Sequence, residues 1–131
     1  MTAFPESHKD LLDAPVAALT TIGSDGYPQS TLLWFLHDAG ELRTSLSTAR
    51  VKTKNLMKRP QMSLLILDYS NPQRYLEVRG NGVLTPDDDY VFANRLGAKY
   101  GADISAYDGP GVSRVQLTIE PTNIYAVDMG A

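Results

Sequence analysis

A chain of 131 residues, 43% of them hydrophobic and 21% charged, suits one domain (residues 1–131) with a buried core and leaves no room for a separate substrate domain. The absence of cysteine excludes disulfides, thiolate nucleophiles, iron–sulfur clusters and cysteine zinc sites together, and a formal charge of −3 argues against general nucleic-acid binding, which needs a basic surface. No apolar run follows a basic segment at the start, and no stretch approaches the roughly eighteen apolar residues of a membrane span, so a cytoplasmic location is expected.

In chain order, residues 6–12 read as a short helix opened by Ser7, followed by a strand over Val16–Ile22 that ends at the turn Gly23-Ser24-Asp25-Gly26. A second strand is predicted over Gln29–His37, and Asp38-Ala39-Gly40 turns it into a third, Glu41–Ser47. Thr48 suits the N-cap of a helix over Ala49–Lys58, which Pro60 stops. Alternation of Met62, Leu64 and Ile66 marks strand four, and Arg74–Val83 strand five. Thr85-Pro86-Asp87-Asp88-Asp89 predicts a helix start, with the acids at the positive end of the dipole and an apolar stripe of Phe92, Leu96 and Tyr100. Ser113–Glu120 is strand six, and Ile124–Val127 extends the sheet. Six short strands in mostly hairpin order, with two or three peripheral helices, predict a mainly β fold, an antiparallel barrel. The missing G-x-G-x-x-G and the irregular alternation disfavour a Rossmann fold.

Residues 48–60 contain Arg50, Lys52, Lys54, Lys58 and Arg59, five of the twelve basic residues and no acid, so the remainder of the chain carries −8. Cations crowd the first turns of the predicted helix, where the dipole disfavours them, and a bound anion would relieve this. Helix N-termini bind phosphate well, and Ser47 and Thr48 add hydroxyl donors. The i, i+4 spacing of Arg50, Lys54 and Lys58 also suits a solvated charged face, and the residues alone leave both readings open. His8 and His37 are far apart and without carboxylates at ligand spacing, so they read as surface residues, with neither a metal site nor a serine-hydrolase triad. Trp34 and Phe35 read as barrel core, and Trp34 could also wall a ring-binding cleft. A chain so poor in acid–base and nucleophilic groups, with a concentrated anion site, fits a protein whose bound cofactor does the chemistry, and equally a pure binding module.

These segments together resemble the pyridoxamine 5'-phosphate oxidase-like split β-barrel superfamily. The landmarks are Ala17-Ala18-Leu19-Thr20-Thr21, Gly26-Tyr27-Pro28-Gln29, Leu33-Trp34-Phe35, the run Ser47-Thr48-Ala49-Arg50-Val51-Lys52-Thr53-Lys54-Asn55-Leu56 with Pro60, and Pro72-Gln73-Arg74-Tyr75-Leu76-Glu77-Val78-Arg79-Gly80. The R-x-K-x-[KR]-N-L pattern looks most like the branch that uses coenzyme F420, a deazaflavin. The resemblance implies that Arg50 and Lys52 hold the cofactor phosphate, with Lys54 and Asn55 near its anionic tail. It implies that Gln29, Ser30 and Thr31, and Leu46, Ser47 and Thr48, border the ring and ribityl chain. It also implies a homodimer with the cleft between subunits, so that Arg74 and Tyr75 reach the cofactor bound mainly by the partner; ordinary strand packing explains the same two residues. The implied activity is hydride transfer from the reduced deazaflavin C5 to an unsaturated organic substrate, with no residue assigned as proton donor. The alternatives are an FMN-binding oxidase or reductase, or a non-enzymatic cofactor-binding protein.

Overall fold

The computed structural model describes residues 3–130. Its seven strands are β1 (Ala17–Ile22), β2 (Pro28–Leu33), β3 (Leu36–Asp38), β4 (Glu41–Ser47), β5 (Gln61–Leu67), β6 (Arg74–Pro86) and β7 (Arg114–Asp128). Two α-helices, α1 (Val51–Lys58) and α2 (Val91–Tyr100), and 3-10 segments at Glu6–Asp13 and Ile104–Tyr107 complete the described residues. All pairings are antiparallel, in the order β2-β1-β5-β6-β7-β4-β3.

That order forces curvature. β2 and β3 are the two edges of the sheet, yet only Trp34 and Phe35 join them, a connection that reaches roughly 10 Å at full extension. The edges must therefore come together without pairing, which makes the sheet a split antiparallel barrel. The strand expected over Gln29–His37 is thus two strands, and the six expected strands are seven. Ile124–Val127 continues the last strand instead of forming another, because β7 crosses the whole sheet beside β6.

Inward positions alternate as a half-buried strand requires: Leu42 and Leu46 of β4, Leu64 and Ile66 of β5, Leu76 and Val78 of β6, and Leu117 of β7 are all essentially inaccessible. A register shift opposite Arg79 and Gly80 leaves Thr122 of β7 as an extra, unpaired residue, a bulge against β6. A side chain at Gly80 would meet the Glu120 carbonyl oxygen at 2.1 Å, so the bulge demands glycine. A second apolar cluster, Phe92, Ala93, Leu96 and Ile104, lies under α2 and contacts Trp34 and Tyr100.

The ends of several elements differ from expectation. Thr48 does not cap α1, which begins at Val51 with Arg50 as its cap residue. Its hydroxyl is instead held by Ser113, at 2.7 Å from Oγ and 3.2 Å from the carbonyl oxygen. Pro86 ends β6 rather than opening α2, because the strand pairs with β7 as far as Val115. Of the three acids only Asp87 reaches the helix, accepting from the Phe92 and Ala93 N–H groups at 3.0 and 2.9 Å. Ser7 does not cap the first helix; its hydroxyl meets His8 Nδ1 at 2.8 Å. His8 is buried, not at the surface, and its Nε2 lies 2.9 Å from the Val127 carbonyl oxygen. His37 is half-buried, edge-on to Phe4. Neither histidine belongs to a metal-binding cluster among the described residues.

At the Trp34–Phe35 corner, backbone groups that leave the ladder need other partners. Side chains supply them: Thr44 Oγ1 donates to the Trp34 carbonyl at 2.6 Å, the Phe35 N–H donates to Tyr100 Oη at 3.2 Å, and Lys99 Nζ donates to the Phe35 carbonyl at 2.9 Å. The Tyr100 ring also stacks on Trp34, with centroids 4.3 Å apart and planes within 6°. Tyr100→Phe keeps the stack and strips the Phe35 N–H of its partner, so it should cost about 1–3 kcal/mol in urea denaturation. An unchanged midpoint would show that the corner does not depend on this bond.

Candidate functional site

β4 ends at Ser47, and the next three residues carry the chain to α1 along a tightly tied path. The Ser47 carbonyl accepts from Thr53 Oγ1 at 2.6 Å and from the Arg50 N–H at 3.2 Å, while Ser47 Oγ accepts from the Ala49 N–H at 3.2 Å. Thr48 N–H bonds to the Ser113 carbonyl at 3.0 Å. The start of α1 is therefore clasped to the start of β7, and Ser47 lies opposite Arg114 in the β4–β7 register.

The consequence is an open cleft of about 490 Å³. Its apolar side is Val16, Leu32, Leu33, Trp34 and Leu46; its polar side is Ser45, Ser47, Arg50, Lys52 and Arg114. Three cations thus converge although they are distant in sequence. Burial first, then the charges of Arg50 and Arg114, push the Lys52 ammonium below its ordinary value. A group held against both desolvation and like charge is one that an incoming anion relieves. The residues present accordingly fit a phosphate: the Arg50 guanidinium and Lys52 ammonium from the α1 entry, the Arg114 guanidinium across the sheet, and the Ser45 and Ser47 hydroxyls beside them.

Arg114 is not free to wander. Asp108 takes it as a fork, Nε to Oδ2 at 2.9 Å and Nη2 to Oδ1 at 2.7 Å, and Tyr90 Oη donates to the same Oδ2 at 2.6 Å. Arg114 Nη1 also reaches Ser45 Oγ at 3.4 Å. The Arg114 bonds hold the Asp108 carboxyl below its ordinary range, with the Tyr90 hydroxyl assisting.

Of the residues singled out from sequence, Leu46, Ser47, Arg50 and Lys52 line this cleft, and Thr48 anchors its rim. Gln29, Ser30 and Thr31 do not line it. Gln29 accepts from Thr21 Oγ1 at 3.3 Å, Ser30 pairs with Thr20 at 2.7 Å, and the neighbouring Leu32 and Leu33 reach the cleft instead. Asn55 is buried and donates to Thr21 Oγ1 at 3.0 Å, which ties α1 to β1, and Lys54 is exposed on the helix. Arg74 and Tyr75 begin β6 away from the cleft of their own chain. Arg74 is engaged by Asp10 at 2.6 Å, by Asp68 at 3.0 Å and by the Ser7 carbonyl. Sequence reasoning missed Arg114 and Ser45. Their signal lies only in strand pairing, because Arg114 sits in an ordinary alternating pattern 67 positions from its partner Ser47.

Residues 4–128 match the family model described as pyridoxamine 5'-phosphate oxidase. The chain belongs to that family. Among solved structures it resembles an F420 reductase at 32% identity and a TM-score of 0.83, covering 93% of this chain and 98% of that one. A putative pyridoxamine 5'-phosphate oxidase from Listeria innocua matches at 26% identity and a TM-score of 0.67, with 88% and 90% covered. HutZ, the heme storage protein from Vibrio cholerae, shares the fold at 16% identity and a TM-score of 0.72, with 97% and 96% covered. The family includes oxidoreductases, and its fold binds flavin-type cofactors. No helix among the described residues is long and apolar enough to cross a membrane.

Asp108→Asn keeps the shape of the pair but removes its charge, and should lower stability at pH 7 by on the order of 2 kcal/mol. A carboxyl whose folded-state value is depressed contributes stability above its unfolded value and loses it as pH falls through the folded value. The gap between wild type and variant should therefore be full at neutral pH and shrink below the ordinary aspartate value of 3.8. Urea melts at pH 7 and pH 3 check this; a gap equal at both would mean that the charge of Asp108 contributes nothing.

Proposed function

We propose that this protein is an F420-dependent oxidoreductase, acting as a reductase on an unsaturated organic substrate. The observation that carries the reading is the convergence of Arg50, Lys52 and Arg114 on one cleft beside Trp34, in a chain 32% identical to an F420 reductase. In this reading Arg50 and Lys52 bind the cofactor phosphate, with Ser47 and the Thr48 rim beside them. Lys54, exposed on the next turn, attracts the anionic tail. Leu46 and Trp34 exclude water from one side of the ring system, and Gln29, Ser30 and Thr31 hold β2 in register beneath Leu32 and Leu33. When bound, the reduced deazaflavin supplies a hydride from its C5. Arg74 and Tyr75 are proposed to act in the cleft of a partner subunit.

A second reading, an FMN-dependent oxidase or reductase, is favoured by the family match and by the Listeria protein. Both readings need the same phosphate site. Titration separates them, followed by cofactor fluorescence and by the emission of Trp34, the only tryptophan. Coenzyme F420 should bind more tightly than FMN or heme. Equal or tighter FMN binding would replace the first reading with the second, and binding of neither would leave a non-enzymatic module.

Position within the cluster matters more than charge. Lys52 lines the cleft, whereas Lys58 is exposed at the far end of α1. Lys52→Glu should weaken F420 binding about ten- to a hundredfold, the loss of one charge-assisted contact of roughly 1.5–3 kcal/mol, and Lys58→Glu less than about threefold. Dissociation constants at physiological salt, with circular dichroism to verify folding, decide it. Matching losses would mean a diffuse field and no phosphate contact at Lys52.

The protein is also proposed to be a homodimer. Phe35 does not need a partner's cover, since it is 1% exposed within its own chain. Leu32 at 76%, Tyr27 at 73% and Val51 at 59% exposure, on β2, the turn before it and the start of α1, are apolar side chains that burial in a second copy would stabilise. Sedimentation should give twice the chain mass at micromolar concentration, and a monomer that binds cofactor would overturn the shared cleft.

A further inference from the structure

A second cavity, of about 410 Å³, adjoins the first and shares Leu33, Trp34, Ser45 and Arg114 with it. Its remaining walls come from under α2 and the following 3-10 turn: Leu96, Ile104 and Tyr107, with Thr44. The Thr44 hydroxyl is already given to the Trp34 carbonyl, so this residue offers the cavity no free donor proton. Five apolar or aromatic side chains thus line this open pocket, and its polar groups Ser45 and Arg114 are shared with the cation cleft. The volume is that of a small-molecule pocket, lined as such pockets are, by apolar surface with a few convergent polar groups.

Two features narrow what it would accept. Trp34 is a fixed flat wall, because Tyr100 stacks on one face of the indole and Thr44 holds its backbone. Arg114 is held by Asp108 and Ser45 through three of its N–H donors, which leaves two of the five for an oxygen acceptor. Asp108 is neutralised by that fork, and among the described residues no acidic one lines either cavity. The polar end therefore favours an anionic or carbonyl oxygen and rejects a cation.

We propose that this cavity is the acceptor-substrate chamber, and that it takes a flat, apolar, conjugated compound whose carboxylate or carbonyl oxygen is received by Arg114. The inference deepens the oxidoreductase reading and rests on it for the word substrate; the binding itself does not. Tyr107 is 72% exposed, makes no side-chain hydrogen bond in the structure, and stands at the mouth of the cavity, so it closes over a flat ligand and can be changed without unfolding the chain.

The test uses the full chain without cofactor and trans-cinnamate as probe, a planar ring conjugated through a double bond to a carboxylate. Calorimetry should show cinnamate binding at least about tenfold tighter than cinnamyl alcohol, which has the same ring and double bond without the charge. Tyr107→Ala should weaken cinnamate roughly three- to tenfold, the loss of one aromatic contact, and leave F420 binding unchanged. Lys52→Gln should do the reverse, weakening F420 far more than cinnamate. The inference is overturned if cinnamate fails to bind at millimolar concentration, if the alcohol binds as well, or if Lys52→Gln affects cinnamate more than Tyr107→Ala does. Should F420 fail to bind while the cinnamate pattern holds, the cavity stands and the proposed cofactor falls; the opposite result leaves the cofactor and removes the chamber.

Discussion

The pairing of β7 with β6 on one side and β4 on the other is the constraint on which the rest depends. A strand running from Arg114 to Asp128 and bonded on both sides over Val115–Thr118 carries the sheet around toward its own opposite edge. Without the β4–β7 ladder, Ser47 would not face Arg114, Thr48 would lose Ser113, and the entry to α1 would have nothing to lean on. The cation cleft is a consequence of closing the barrel and is not an added device.

Closing it has an electrostatic cost. Bringing Arg50, Lys52 and Arg114 to one surface opposes folding by mutual repulsion and by the desolvation of Lys52. Asp108 pairs directly with Arg114, through a fork that Tyr90 completes, and acts on Arg50 only through space. Two cations at the α1 entry have no carboxylate partner there among the described residues, since the ion pairs of the chain lie elsewhere. Positive charge concentrated beside an apolar wall suits the amphipathic anion proposed to bind there. Sites of this kind trade stability for binding.

The other half of the site depends on a corner. Two residues, Trp34 and Phe35, link the sheet edges, and their backbone polar groups are served by Thr44, Lys99 and Tyr100 instead of by neighbouring strands. This substitution lets Phe35 enter the core while Trp34 remains half-exposed between two cavities. α2 is thus not merely packed outside the barrel; its last turn fixes the wall of the cleft. The αL cap at Gly101, φ 64°, ends the helix just after Tyr100 delivers its hydroxyl.

Much of this was legible in the residues taken in order. Period-two alternation along Met62-Leu64-Ile66 and Val115-Leu117-Ile119 marked strands and their buried faces, because a pleated strand half in water has no other stable pattern. The basic run from Arg50 to Arg59 suited an anion site and a solvated face alike, and its motif pointed to the family that residues 4–128 match. What stayed hidden depends on pairing. That Gln29–His37 breaks at Trp34 follows from which strands β2 and β3 accompany, not from their own β-forming composition. Thr48 has the side chain of a cap, but the Ser113 hydroxyl and carbonyl across the sheet hold it instead. Pro86 has the look of a first helical residue, yet β7 extends the strand through it. Arg114 lies in an alternating strand pattern like any other, and only the antiparallel register with Ser47 makes it a third cation of the cleft. Local sequence determined which segments are strands, which face is apolar and where positive charge is concentrated, since each follows from neighbours a few residues away. The tertiary structure alone decided which distant side chains share a wall, because register joins residues that the chain itself keeps far apart.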